Sequence, residues 1–196
     1  MKNIFKVGKV GFLFLATVIF LFTVIPQNAS AAIKKNNETY EELFESLGGV
    51  DQETIDLFNE LDKYRVESED GSFKVDVTTA ELDGVQSEVL NVMNILNAML
   101  TGDEEASVIM PLALFPIGSY GNYCGKGNNG YDKTAIDNLD SACRTHDMCF
   151  TGFNSSSAAC NQVFIGSLLP IVQATTAHTT KGAYARAAVA LFLKWV

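Results

Sequence analysis

Apolar positions recur at helical spacing along most of the chain. Residues 39–47 carry Tyr40, Leu43, Phe44 and Leu47 on one face before Gly48-Gly49, which predicts a short helix. Asp51 suits the N-cap of a second helix with Leu57, Phe58, Leu61 and Tyr64 turned inward. Asp70-Gly71 reads as a turn, and residues 73–77 alternate apolar and polar like a short strand. Residues 80–100 give the longest helical pattern of this half, with Val85, Val89, Met93, Leu96 and Leu100 on one face and Gly102 suited to the C-cap. Residues 106–117 are apolar, interrupted by Pro111 and Pro116, and read equally well as a buried connector or a membrane-contacting segment. Residues 120–134 hold four glycines and three asparagines and predict a loop. A helix is expected over 137–150, with Asp137 and Asp140 favourable near its N-terminal turn. A turn follows over 151–157, then a helix over 157–169 ended by Pro170. A last helix over 181–196 places Tyr184, Ala188, Leu191 and Trp195 on one stripe. The class expected is mainly α.

Charge divides this pattern in two. Residues 33–105 hold nineteen acidic against five basic side chains, a net −14, whereas residues 106–196 hold four against six, a net +2. Three of the four acids in the second piece fall in the candidate site region, so the rest of its surface is mildly basic. That suits an anionic lipid surface; the basic content is too thin for nucleic acid. Ahead of both pieces, Lys2, Lys6 and Lys9 precede an apolar run over 10–25, then Pro26 and Ala29-Ser30-Ala31. That order is expected of a secretory signal cleaved near Ala31, the alternative being an uncleaved anchor. The expected organisation is a signal peptide over 1–31, an acidic helical segment over 32–105 and a catalytic domain over 106–196, the whole being secreted. The acidic segment is either an ordinary helical lobe or a pro-segment.

Cys124, Cys143, Cys149 and Cys160 all lie in the second piece. An even count in an exported chain favours two disulfides, and the spacing lacks the short CxxC clamp usual in zinc sites. Four cysteines allow three pairings. A Cys124–Cys143 bond would hold the glycine-rich loop one helical turn from His146. A Cys149–Cys160 bond would set two helices antiparallel and let the Asn161 carbonyl accept the imidazole N–H.

The candidate chemistry lies on the helix and the loop. Cys143, His146 and Phe150 share a helical stripe, and Asp147 is turned about 100° from His146. The two are therefore a base and an anion side by side rather than a dyad. Glycines at 125 and 127 permit the dihedrals needed to aim several carbonyls at one point, as calcium requires, with Asp147 adding a carboxylate.

Tyr120-Gly121-x-Tyr123-Cys124-Gly125-x-Gly127 resembles the calcium loop of the secreted phospholipase A2 family. Asp137-x-Leu139-Asp140-x-x-Cys143-x-x-His146-Asp147-x-Cys149 resembles its active-site helix, and Cys160-Asn161 extends the likeness. The resemblance implies a core with two antiparallel disulfide-linked helices and a calcium loop. It implies hydrolysis of the sn-2 ester of glycerophospholipids, with a phospholipid membrane surface as substrate. His146 would be the general base, oriented by Asn161. Carbonyls of Tyr123, Gly125 and Gly127 and the Asp147 carboxylate would hold Ca²⁺, and the Gly125 N–H would help the oxyanion. Asn161 stands where the family commonly has aspartate, and Phe150 where it has tyrosine. Those two changes are what a catalytically weak membrane- or receptor-binding relative would show.

Overall fold

The structure is a computed structural model that describes residues 39–69, 72–101, 118–125, 132–152 and 157–193. The expected signal segment, the turn at Asp70-Gly71, the apolar stretch 106–117, Gly127 and Trp195 lie outside the described residues.

Helix α1 (Tyr40–Ser46) opens on a capping box: the Thr39 hydroxyl accepts from the Glu42 N–H while Glu42 accepts from the Thr39 N–H. Helix α2 (Gln52–Lys63) is capped by Asp51, whose carboxylate accepts the Thr54 N–H at 2.7 Å. Strands β1 (Arg65–Glu67) and β2 (Phe73–Val75) form an antiparallel ladder in which Val66 faces Lys74. The strand expected over 73–77 thus ends at Val75, because Asp76 caps helix α3 (Val77–Leu82) through the Thr79 N–H. The single helix expected over 80–100 is two. Gly84 takes φ +77° and stops α3, and helix α4 restarts at Ser87 and runs to Thr101 (Ser87–Thr101). The Asn97 amide then donates to the Val75 carbonyl and accepts its N–H, both at 2.8 Å, so one side chain ties α4 to the free edge of β2.

Three further helices follow: α5 (Asn138–Gly152), α6 (Ser157–Gln173) and α7 (Thr180–Leu193). Pro170 lies inside α6 rather than ending it. The helix continues because Ile171 and Val172 beyond it are buried, and that packing offsets the hydrogen bond the proline cannot make. The stripe expected on the last helix is also too narrow. Every residue over 182–189 in α7 is buried, since α4 packs on one side and α6 on the other. Small residues (Gly182, Ala183, Ala185, Ala187, Ala188) permit that approach. A Cβ on Gly182 would stand 2.0 Å from the Thr176 carbonyl oxygen.

Among the described residues the architecture is mainly helical, as expected, with seven helices and one two-stranded sheet. One hydrophobic core runs from Phe44 and Phe58 through Met93 and Leu96 to Ile165, Leu168 and Val189. None of the described helices is long and apolar enough to cross a membrane.

Candidate active site

The loop from Gly118 is held to α5 by three devices. The Cys124–Cys143 disulfide joins them at a Cα separation of 5.1 Å. The Tyr120 hydroxyl donates to Asp137 at 2.6 Å, and Lys181 from α7 reaches the same carboxylate at 2.9 Å. Burial pushes Asp137 up, but the Tyr120, Asp140 N–H and Lys181 contacts outweigh it and hold the carboxyl below its usual range. The third device is Asp140, fully buried. Its carboxylate accepts the N–H groups of Asn122 at 2.9 Å, Tyr123 at 2.8 Å and Ile136 at 2.9 Å.

Gly121 has φ +64°, and a Cβ there would lie 2.3 Å from the Asp140 carboxyl carbon, so glycine is required for the loop to close on this anchor. The helix-dipole role expected of Asp140 therefore gives way to a larger one. No local pattern signals it, because the three donors come from loop residues up to 18 positions earlier and from Ile136. Asp140→Asn is expected to lower stability by about 2–3 kcal/mol, since a buried NH₂ would face at least one N–H donor. Urea unfolding checks this, and an unchanged midpoint would refute the anchoring role.

The Cys149–Cys160 disulfide, with Cα atoms 5.9 Å apart, joins the end of α5 to the start of α6 and makes them antiparallel. Asn161 Oδ1 thereby comes 2.9 Å from His146 Nε2 and is buried. An amide oxygen facing Nε2 makes that nitrogen the donor, so the lone pair of the neutral ring is on Nδ1. Phe164 of α6 stacks on the ring with centroids 4.3 Å apart, and Phe192 of α7 meets it edge-on at 4.8 Å. Sequence reading missed both, although Asn161-x-x-Phe164 has the i, i+3 spacing that puts two side chains on one helical face.

Burial pushes the imidazole below its usual 6.5, against the opposing pull of Asn161 and Asp147. A folded value below the unfolded one means that protonation favours unfolding. The stability His146 contributes is full above 6.5 and is lost as pH falls from there towards the lower folded value. Wild type is expected to lose more stability than His146→Gln between about pH 7.5 and about pH 5.5, read from urea midpoints. Equal losses would refute the shift.

Tyr123 is buried, its hydroxyl donating to the Lys133 carbonyl and the Arg144 guanidinium lying 5.5 Å from its ring centroid. Gly125 takes φ +110°, and a Cβ there would sit 2.7 Å from the Gly118 carbonyl oxygen. Asp147, half-buried, follows Cys143 by one helical turn on α5. Its charge is felt by His146 and by the Tyr184 phenol, which burial first and then Asp147 and Asp140 push far up. No group of three or more His, Cys, Asp or Glu side chains among the described residues could hold a metal ion, so a cation here would have to be held by backbone oxygens with the Asp147 carboxylate, the oxygen ligands a hard cation takes. Beside the imidazole opens a cavity of about 390 Å³, lined by Ala142, Met148, Val163, Phe164 and others with no charged side chain. That is the size and character of a pocket for an apolar ligand. Met148 and Val163 are exposed at its rim.

The chain is similar to a phospholipase A2 of Oryctolagus cuniculus, 35% identical over 74 aligned residues that cover 29% of this chain and 49% of that protein. The chain thus spans about half the length of this curated relative. No family model matches the chain. No solved structure matches it either.

Proposed function

We propose that the protein is a secreted, calcium-dependent phospholipase A2 that hydrolyses the sn-2 ester of glycerophospholipids to a lysophospholipid and a fatty acid. The observation that carries this reading is the His146 imidazole, held through Nε2 by Asn161 and opening on an uncharged cavity. The carbonyl-rich loop is crosslinked to the same helix. The partial likeness to a curated phospholipase A2 supports it further.

In this mechanism Nδ1 of His146 takes a proton from water as the water oxygen attacks the ester carbonyl. The imidazolium then gives that proton to the departing glycerol oxygen, which leaves as the lysophospholipid hydroxyl. Asn161 keeps the ring in the tautomer that can do this. Being neutral, it stabilises the imidazolium less than a carboxylate would. Calcium would be held by the carbonyls of Tyr123, Gly125 and Gly127 and the Asp147 carboxylate, and when bound it supplies polarisation of the ester carbonyl and charge for the phosphate. With one protein carboxylate, affinity is expected near 10⁻⁴–10⁻³ M, roughly that of extracellular calcium modules. The uncharged cavity suits an acyl chain.

The test is fatty-acid release from phosphatidylcholine vesicles at millimolar calcium and again with chelator. Equal amounts of fatty acid and lysophospholipid, lost on chelation, are expected. Absent or calcium-independent release would overturn the proposal and favour a membrane- or receptor-binding role.

A further inference from the structure

We infer that Phe164 and Phe192 are positioning residues that fix the rotation of the His146 ring, so that Nε2–H stays on Asn161 and Nδ1 stays aimed at the reacting water. This rests on the hydrolase reading above. The hydrogen bond at Nε2 by itself fixes one edge of the imidazole and not the plane of the ring. Two flat neighbours remove that freedom. Phe164 lies nearly parallel to the ring, with an interplanar angle of 17°, and Phe192 stands across it at 74°. The two phenyl rings also meet each other, centroids 5.2 Å apart at 83°. The three rings close a triangle with one corner on each of α5, α6 and α7.

Helix α6 grips the imidazole twice, at its edge through Asn161 and on its face through Phe164, one turn later. Helix α7 closes the third side and is itself held between α4 and α6. The clamp therefore supplies from apolar side chains the orientation that a charged partner would otherwise enforce. Of the polar groups near the ring, Asn161 bonds Nε2 and Asp147 of α5 acts on it through its charge. Helix α6 has no ionisable side chain apart from its disulfide-bonded cysteine. On α7, Lys181 is engaged by Asp137, Tyr184 by the Gly118 carbonyl, and Arg186 by the C-terminal end of α6.

The alternative is that the phenyl rings merely fill space. Phe192→Leu separates the two, because leucine keeps an apolar side chain but not a flat one. Phe192 is only half-buried, so Phe192→Leu is expected to fold. Two measurements are made on each protein. The first is the ¹⁵N and N–H spectrum of the imidazoles, of which the chain has two, with exposed His178 as the internal reference. Wild type is expected to show one Nε2–H tautomer with a slowly exchanging N–H at His146. Phe192→Leu and Phe164→Leu are expected to show averaged tautomers and a fast-exchanging proton, and Phe192→Tyr the wild-type pattern.

The second measurement is vesicle hydrolysis. For Phe192→Leu kcat is expected to fall about 10- to 100-fold with KM within about twofold, as misplacement of a reacting group predicts, and Phe192→Tyr is expected to keep the wild-type kcat. Phe164→Leu is expected to lower kcat likewise and, because Phe164 also lines the cavity, to change KM as well. A folded Phe192→Leu with the wild-type tautomer and kcat would overturn the inference. Should wild type release no fatty acid at all, the hydrolase reading fails and with it the role in orienting a base. A single locked tautomer in that case would show a purely structural clamp.

Discussion

His146→Gln is expected to lower fatty-acid release by about 10²- to 10⁴-fold, the range a positioned general base contributes. Glutamine can still bond Asn161 through its amide, and it stays polar beside Asp147, so the fold should survive. What it lacks is a nitrogen that can take a proton from water near neutral pH. His178 cannot substitute, since it is exposed and sits 3.9 Å from Glu88 rather than at the site. The measurement is lysophospholipid production from vesicles at millimolar calcium, with far-ultraviolet circular dichroism and intact disulfides as controls for folding. Turnover within a few-fold of wild type would defeat the assignment of His146 as base. Loss of turnover together with loss of helicity would point to a structural role instead. Asn161 makes a related point about magnitude. In the serine-protease triad an aspartate-to-asparagine replacement lowers rate by about 10⁴. The mechanism there differs, so that figure is an upper bound on what Asn161 withholds here.

The second large effect concerns Arg186. Its guanidinium is buried and donates to four oxygens: Thr175 at 2.8 Å, and Val172, Gly182 and the Thr54 hydroxyl at 3.2 Å each. Val172 and Thr175 carry carbonyls at the C-terminal end of α6, where unpaired acceptors and the helix dipole favour a cation. Burial pulls the Arg186 pKa down, against the pull of Asp51 and Glu53 at the start of α2. Arg186→Leu is expected to destabilise the protein by about 3 kcal/mol, because it strands buried acceptors, although it also removes a desolvated charge. That is a large share of a typical total of about 5–15 kcal/mol. Equilibrium urea unfolding measures it, and a loss below about 1 kcal/mol would show that desolvation of the cation had cancelled its bonds.

The same contacts bear on the acidic segment. Thr54 meets Arg186, Gln173 bonds the Gly49 carbonyl, and α4 packs on α7, so residues 39–101 share the core that carries the site. Excising residues 32–105 is therefore expected to unfold the remainder rather than to activate it. A folded remainder with raised activity would instead mark the segment as a pro-segment.

Local pattern carried much of the fold. Capping by Asp51 and the apolar spacing of α1 and α2 are written within four or so residues, the span over which helical neighbours meet. The errors also have local causes. The apolar positions that mark the 80–100 pattern all follow Gly84, so they carry no sign that residues 80–82 belong to a separate helix. Propensity alone ends a helix at Pro170, and burial of Ile171 and Val172 overrides it. The stripe through Tyr184 and Ala188 is too narrow because every residue over 182–189 is buried, so no single face marks the packing there.

By itself the amino-acid order determined the helical class, the opposed charges of the two halves, and the spacing of loop, His146, Asp147 and Asn161. Only the tertiary structure decided which cysteines pair, that Asp140 collects three loop amides, that Phe164 and Phe192 close on the imidazole, and that Arg186 reaches Thr54 across 132 positions. The reason is physical. A helix is encoded by neighbours that meet whatever the rest of the chain does. A distant contact forms only when many weak burials together offset the entropy of closing the chain between its partners, and no single segment records that sum.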